Sequence, residues 1–328
     1  MKSIAKTLYN LTLNKLHLYR HLVNKMRFKG LSIEPSALMH VEGDIHYGRH
    51  SLINLGANII VPEGSKLVLG NNNYIGRYVE IGPTHCIKIG DYTSLQDRCI
   101  LVGDIEVGRY CLFSLNVLIA SGKHCFDRKP HYLIRDQDEL FLSEQYQQNK
   151  LSKKVIIEDD CWIGVNVVIM PGVRIGKGSI IGANSVVTKD IPPYSVAVGA
   201  PACVVKQRLE FMPPQELCYS RELDYPYFYS GFEISAHERQ NALPFEGFFT
   251  KQEFELALNT QGYSKIALMV KSTDSDCSLS YNGESKVVGS QFSKIVFDLS
   301  QSKSNLLNFN NNSENRNAKL VLQKAWVE

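Results

Sequence analysis

Aliphatic side chains recur at every sixth position along much of this chain. The count from Ile157 lands on Ile163, Ile169, Ile175, Ile181 and Val187. It runs upstream through Ile89, Leu95, Leu101, Val107, Phe113 and Ile119, and earlier through Leu69, Ile75 and Ile81. A helix repeats near 3.6 residues and a half-buried strand alternates by two, so a sustained six marks a repeat architecture. With 44% of residues apolar, six consecutive hits fall by chance in roughly 1% of registers. The pattern predicts a mainly β chain built on a parallel β-helix over residues 31–210. Each coil has three six-residue sides and pairs with the next at about 4.8 Å. A glycine often follows the aliphatic residue, as at Gly90 and Gly164, and is expected to serve the coil corners. The two-residue slip between Ile81 and Ile89 predicts a bulge.

Three regions depart from the beat. Residues 1–30 hold no acidic side chain and set Ile4, Leu8, Leu11, Leu18, Leu22 and Met26 at helical spacing among basic residues. This basic amphipathic helix fits either attachment to an anionic membrane surface or a cap over the open end of the first coil. Residues 120–154 are polar and aromatic and interrupt the repeat, a length that points to a functional loop forming one wall of a cleft. Residues 211–247 are rich in proline and aromatics and read as a connecting segment laid over another surface. Residues 248–328 show short alternating runs, with Asn282-Gly283 as a tight turn between two of them. They predict a small antiparallel β-sandwich-like domain.

Bulk properties narrow the function classes. A formal charge of +3 gives no case for nucleic acid. Eight cysteines without a CxxC pair favour free thiols in a reducing cytoplasm over a disulfide framework. No apolar run is long enough to span a bilayer, and no signal-peptide pattern opens the chain.

Four stretches carry a resemblance: Asp160-Cys161-Trp162-Ile163-Gly164, residues 171–176, residues 182–192, and Val198-Gly199-Ala200-Pro201-Ala202. Over about residues 70–208 the chain resembles the hexapeptide-repeat acyltransferases, in particular the branch that O-acetylates sugars and polysaccharides. The resemblance implies a left-handed β-helix, a homotrimer, acetyl-CoA as acetyl donor and a glycan acceptor. No resident metal is expected.

It also implies site residues. His124 occupies the place of the family's catalytic histidine, just past Ile119 where the loop begins. Acetyl transfer from a thioester to a hydroxyl needs a base for the hydroxyl proton and an acid for the departing sulfur. An imidazole titrating near 6.5 can serve as both. Trp162 is expected at the active site as a hydrogen-bond donor or a sugar platform, with packing as the alternative. Gly164, Val165, Ala183, Thr188, Lys189 and Lys206 match CoA-contacting positions. On the acceptor side, Ser94-Leu95-Gln96 stands where galactoside-type enzymes have Asn-Phe-Asn, which points away from a free mono- or disaccharide. His85, Ser94, Gln96, Asp97, Lys123, Arg128 and Arg135 are candidates for a longer acceptor, a capsule or lipopolysaccharide chain or its precursor.

Alternatives remain. Cys125 invites an acetyl-cysteine route. An amino-sugar N-acetyltransferase would share the histidine chemistry. A zinc hydratase on the same prism would need three converging imidazoles, with His85, His124 and His131 as candidates. A purely structural β-helix would not need His124 and the CoA-type motifs together.

Overall fold

A computed structural model describes residues 19, 22–143, 152–235, 246–273, 277–299, 304–313 and 319–328. The chain divides into two compact units, Met1–Glu210 and Phe211–Glu328.

The first unit is a parallel β-helix. Its first side is a column of two-residue strands running from Ser32–Ile33 to Ile180–Ile181, closed by Ser195–Gly199 and an antiparallel hairpin with Ala202–Gln207. The second side stacks Leu38–Val41 through Val186–Val187. The third runs from Asp44–Tyr47 to Arg174–Ile175, and strands Glu80–Ile89 and Ile100–Val107 turn the corner between second and third sides without a break. Stacked residues on the first side lie 20 or 22 apart up to Ser94, and 18 apart at Ser94↔Leu112 and Trp162↔Ile180. The early coils are therefore longer than the 18-residue expectation, because their corners hold extra turn residues. The register shifts where Gly103↔Pro83 gives way to Ile105↔Ile87, so the two extra residues lie within Glu80–Ile89, where the slip predicts a bulge.

Why six residues make one side is visible in the burial. Ile163, Ile169, Ile175, Ile181 and Val187 are all at most 1% exposed and form one core cluster with the upstream hits. Two residues before the aliphatic, a second small side chain also turns inward: Cys99, Cys111, Cys161, Ser179 and Ser185 are buried there. All eight cysteines are free thiols. Burial is the leading cause that raises the Cys99 thiol to about 11.

The corners correct the glycine expectation. Positive φ falls three residues before the aliphatic, and mostly on non-glycine residues: Asn116 (60°), Asn166 (58°), Asn184 (60°), Tyr92 (58°) and Tyr110 (59°). Side-chain ladders accompany the strained backbone. Asn116 Nδ2 donates to Asn166 Oδ1, and Asn166 Nδ2 to Asn184 Oδ1, each at 3.0 Å, while Tyr92 and Tyr110 stack at 5.2 Å. The glycines after the aliphatic are needed for close approach instead. A Cβ on Gly90 would stand 2.6 Å from the Gly108 carbonyl carbon, and one on Gly164 would stand 2.7 Å from the Ala183 nitrogen.

Of the expected N-terminal helix, residues 22–27 are helical and Phe28 joins the core of the prism, edge-on to Tyr47. This supports the capping role for its last turn; the remainder, apart from residue 19, lies outside the described residues. Among the described residues, no helix is long and apolar enough to cross a membrane.

The second unit is an antiparallel sheet around an aromatic core of Phe228, Phe232, Phe248, Phe254, Phe297 and Phe309. Strand Phe248–Ala257 joins its halves, pairing at one end with Leu320–Val327 and at the other with Leu306–Ser313. The expected connecting segment is, in its described part, built into this fold. Glu216–Cys218 pairs with Leu320–Val327, and Phe228–Phe232 pairs with Phe248–Ala257. Its aromatic residues are there because they supply the core.

Candidate active site

The long insertion leaves the prism at the corner between second and third sides. Ser121 and Ser152 close its neck: Gly122 and Ser152 form an antiparallel bridge, their neighbouring hydroxyls lie 2.7 Å apart, and Lys153 N donates to Ser121 O. Ser121 Oγ also accepts the Asp104 amide of the coil below at 2.7 Å. A side chain on Gly103 would overlap that hydroxyl. His124 therefore stands a few residues beyond a pinned root.

The insertion folds back through helix Ile134–Ser143. Gln137, 1% exposed, accepts the Lys129 amide and donates to the Tyr132 carbonyl, fixing the intervening turn. Next to it, Asp138 grips the histidine: Oδ2 lies 2.6 Å from His124 Nδ1, and Oδ1 accepts the Cys125 amide at 2.8 Å. The Cys125 amide, then the imidazole, hold the Asp138 carboxyl below the usual carboxylate range. As the ionised acceptor it selects the His124 tautomer with the proton on Nδ1, leaving the Nε2 lone pair available. The His124 side chain is 81% exposed. Asp138 was not among the sequence candidates. Its only signal was a carboxylate in the helix-like run Arg135-Asp136-Gln137-Asp138-Glu139-Leu140 at the far end of an aperiodic loop.

Cys125 is buried and its thiol is not bonded to His124, so the acetyl-cysteine route gains no geometric support. Among the described residues, no three His, Cys, Asp or Glu side chains converge as a metal site.

The other candidates separate into groups. Gly164, Val165 and Ala183 share the corner between first and second sides, where Gly164 N donates to Ile181 O and Asn184 N to Val165 O. Among the described residues the Val165 and Ala183 amides have no protein acceptor, so this corner presents two open backbone donors. Thr188 and Lys189 are exposed at the next corner, in the column through Ala120 and Met170 that rises from the root of the His124 insertion. Lys206 pairs with Val196 on the first side.

Trp162, 52% exposed, is also on the first side; its indole N–H reaches Ser114 Oγ at 3.4 Å, and Leu112 separates it from Ser94 in the column. Gln96 is exposed at the end of the same side. None of these side chains bonds to His124, which stands at a different corner of the prism. His85 is exposed at the His124 corner, two coils earlier. Lys123 lies 3.9 Å from Asp127, and Arg128 and Arg135 are exposed on the insertion.

Asp97 is the exception among the acceptor candidates. It is 8% exposed and both oxygens engage Arg77, at 2.6 Å to the guanidinium and 2.8 Å to the amide. Those bonds from Arg77 pull its carboxyl below the usual range. Its oxygens hold one coil to the next and are not presented to a ligand.

Residues 154–189 match the family model described as bacterial transferase hexapeptide (six repeats). The galactoside O-acetyltransferase of Escherichia coli is 33% identical over 166 residues, 48% of this chain and 68% of that protein. That of Lactococcus lactis is 38% identical over 137 residues, 42% of this chain; the chain spans only 56% of the length of that relative. A solved maltose O-acetyltransferase from Clostridium difficile is 31% identical, with 42% of this chain and 70% of that one covered and a TM-score of 0.31. Six-residue sides, inward aliphatics and this similarity agree: the chain belongs to the hexapeptide-repeat acyltransferases.

Proposed function

We propose that this protein transfers acetyl from acetyl-CoA to a hydroxyl of a surface polysaccharide, capsule or lipopolysaccharide, or of its lipid-linked precursor. The observation that carries the reading is the His124–Asp138 pair at the pinned root of the insertion. With Nδ1–H donated to Asp138, Nε2 accepts the proton of the attacking hydroxyl, and the oxygen adds to the thioester carbonyl. The imidazolium formed is stabilised by the Asp138 carboxylate. It returns the proton to sulfur as the tetrahedral intermediate collapses to ester and free thiol. The Val165 and Ala183 amides, with Thr188 and Lys189, are assigned to the CoA substrate, and Lys206 supplies a further cation for its phosphates.

Within one chain, His124 and the Trp162–Ser94–Gln96 side stand apart. Packing as a homotrimer would set the corner of one copy beside the side of the next. The exposed Leu112, Leu115, Leu118 and Met170 are consistent with such packing. Exposed Lys123, Arg128 and Arg135 on the insertion that carries His124 support an extended and anionic acceptor.

The test is to incubate the full chain with acetyl-CoA and a panel of purified glycans and amino-sugar nucleotides, then to locate the acetyl group by mass spectrometry. An ester on a glycan hydroxyl is expected. An amide on an amino sugar, or no product beyond background with any acceptor, would overturn the reading.

A further inference from the structure

We propose that the outward face of the second unit around Trp326 binds a hexopyranose residue of a glycan chain. The choice of a glycan as ligand class rests on the acceptor reading above. The geometry is independent of it, since every residue involved lies within Phe211–Glu328.

Trp326 sits mid-sheet on the face opposite the aromatic core. Its cross-strand neighbours are Glu216 on one side and the small Ala267 on the other, so no second bulky ring crowds it. The indole is half-buried and held in place, with two ammonium groups over its ring. Its N–H donates to Glu328 Oε1 at 2.7 Å, and the Lys294 and Lys324 ammonium groups each lie 5.4 Å from the ring centroid. Lys294 is paired with Glu328 at 2.5 Å and Lys324 with Glu216 at 2.7 Å.

An indole bounded by two ammonium–carboxylate pairs has the chemistry that recognises a pyranose. The apolar C–H face of the sugar stacks on the ring. Vicinal hydroxyls donate to a carboxylate and accept from the neighbouring ammonium. Two lysines matched by two glutamates leave the patch neutral, which suits an uncharged sugar unit within such a chain.

A second feature extends the site. Glu216 also lines an open groove of about 700 Å³, together with Gln215, Arg221 and Glu222. The groove wall is braced: Arg221 Nε donates to Asp224 Oδ2, which also accepts the Cys218 amide, both at 2.7 Å. One polar side chain, Glu216, thus belongs both to the platform and to the groove.

The chain has two tryptophans, so Trp162→Phe leaves Trp326 as the sole indole reporter. That full-length variant would be titrated with linear tetrasaccharides of glucose, mannose, galactose and N-acetylglucosamine while its emission is followed. A saturable change with at least one of them is expected. In calorimetry with that sugar, Trp326→Ala in the otherwise native chain should lose about tenfold or more in affinity. Glu216→Gln should weaken binding severalfold with an unchanged circular-dichroism spectrum, which keeps the test valid if the alanine variant folds poorly. No saturable change with any of the four sugars, or full affinity in both variants, would overturn the proposal. His124→Ala should bind the sugar as the native chain does. Sugar binding without acetyl transfer would sink the proposed activity alone, and transfer without sugar binding would sink this site alone.

Discussion

The prism and the insertion that leaves it are held together in opposite ways. On the prism, each side repeats one packing contact many times, with Ile163 between the coils of Phe113 and Ile181 and 0% exposed. On the insertion, a few polar contacts do the work: the Ser121–Ser152 neck, Gln137 and the Asp138 grip on a histidine that is 81% exposed. Periodic burial gives stiffness without chemistry. A few directed hydrogen bonds on that stiff base orient an imidazole, the group proposed above to act on a proton. Substitutions on the two regions should therefore separate stability from turnover.

The strongest effect on stability should come from the column. Ile163→Ala is expected to lower unfolding free energy by about 2–5 kcal/mol, because the coils on either side cannot collapse into the space. Chemical denaturation measures this, and turnover per folded molecule should stay near the native value. A large loss of turnover in the folded fraction would blur the distinction between the regions.

A second test uses a buried charge at the corner between the third and first sides. Lys177 is 9% exposed and burial, partly offset by Asp159, pushes its ammonium down from 10.5 to about 8. The unfolded chain then holds this proton more tightly than the folded one. Stability should rise as pH climbs from about 8 to about 10.5, by about 3 kcal/mol at most, and the gain is lost on returning through pH 8. In Lys177→Met that slope should flatten; an unchanged slope would show the group is solvated.

On the insertion, Asp138→Asn should lower kcat on the order of 10–100-fold with little change in the KM for acetyl-CoA, since it misorients the base and leaves the donor corner alone. Its melting temperature should be near native. The smallest effect is expected from Asn166→Ala, which breaks the exposed amide ladder at a positive-φ corner. It should cost about 1 kcal/mol and leave turnover unchanged.

What could be read ahead of the structure follows the same division. Ile157 to Val187 announce themselves because each contact repeats at a fixed spacing, and His124 is singled out by the family resemblance, at the place where that beat stops. Asp138 carried no such mark. Its partner lies fourteen residues away across an aperiodic loop, and only the fold-back of helix Ile134–Ser143 joins them. The corner conformations were not legible because Asn116, Asn166 and Tyr110 adopt positive φ there in place of glycine, supported by neighbours one coil away. In the second unit, Glu216 pairs with Trp326 across most of the unit's length, so local alternation could show strands but not that residues 211–235 belong among them.

The most direct test is thiol release from acetyl-CoA in the presence of an acceptor glycan, comparing the native chain with His124→Ala. Turnover should fall by roughly 10²–10⁴ while the circular-dichroism spectrum and melting temperature stay native. Turnover surviving within a few-fold in a folded His124→Ala protein would contradict the assignment of the base.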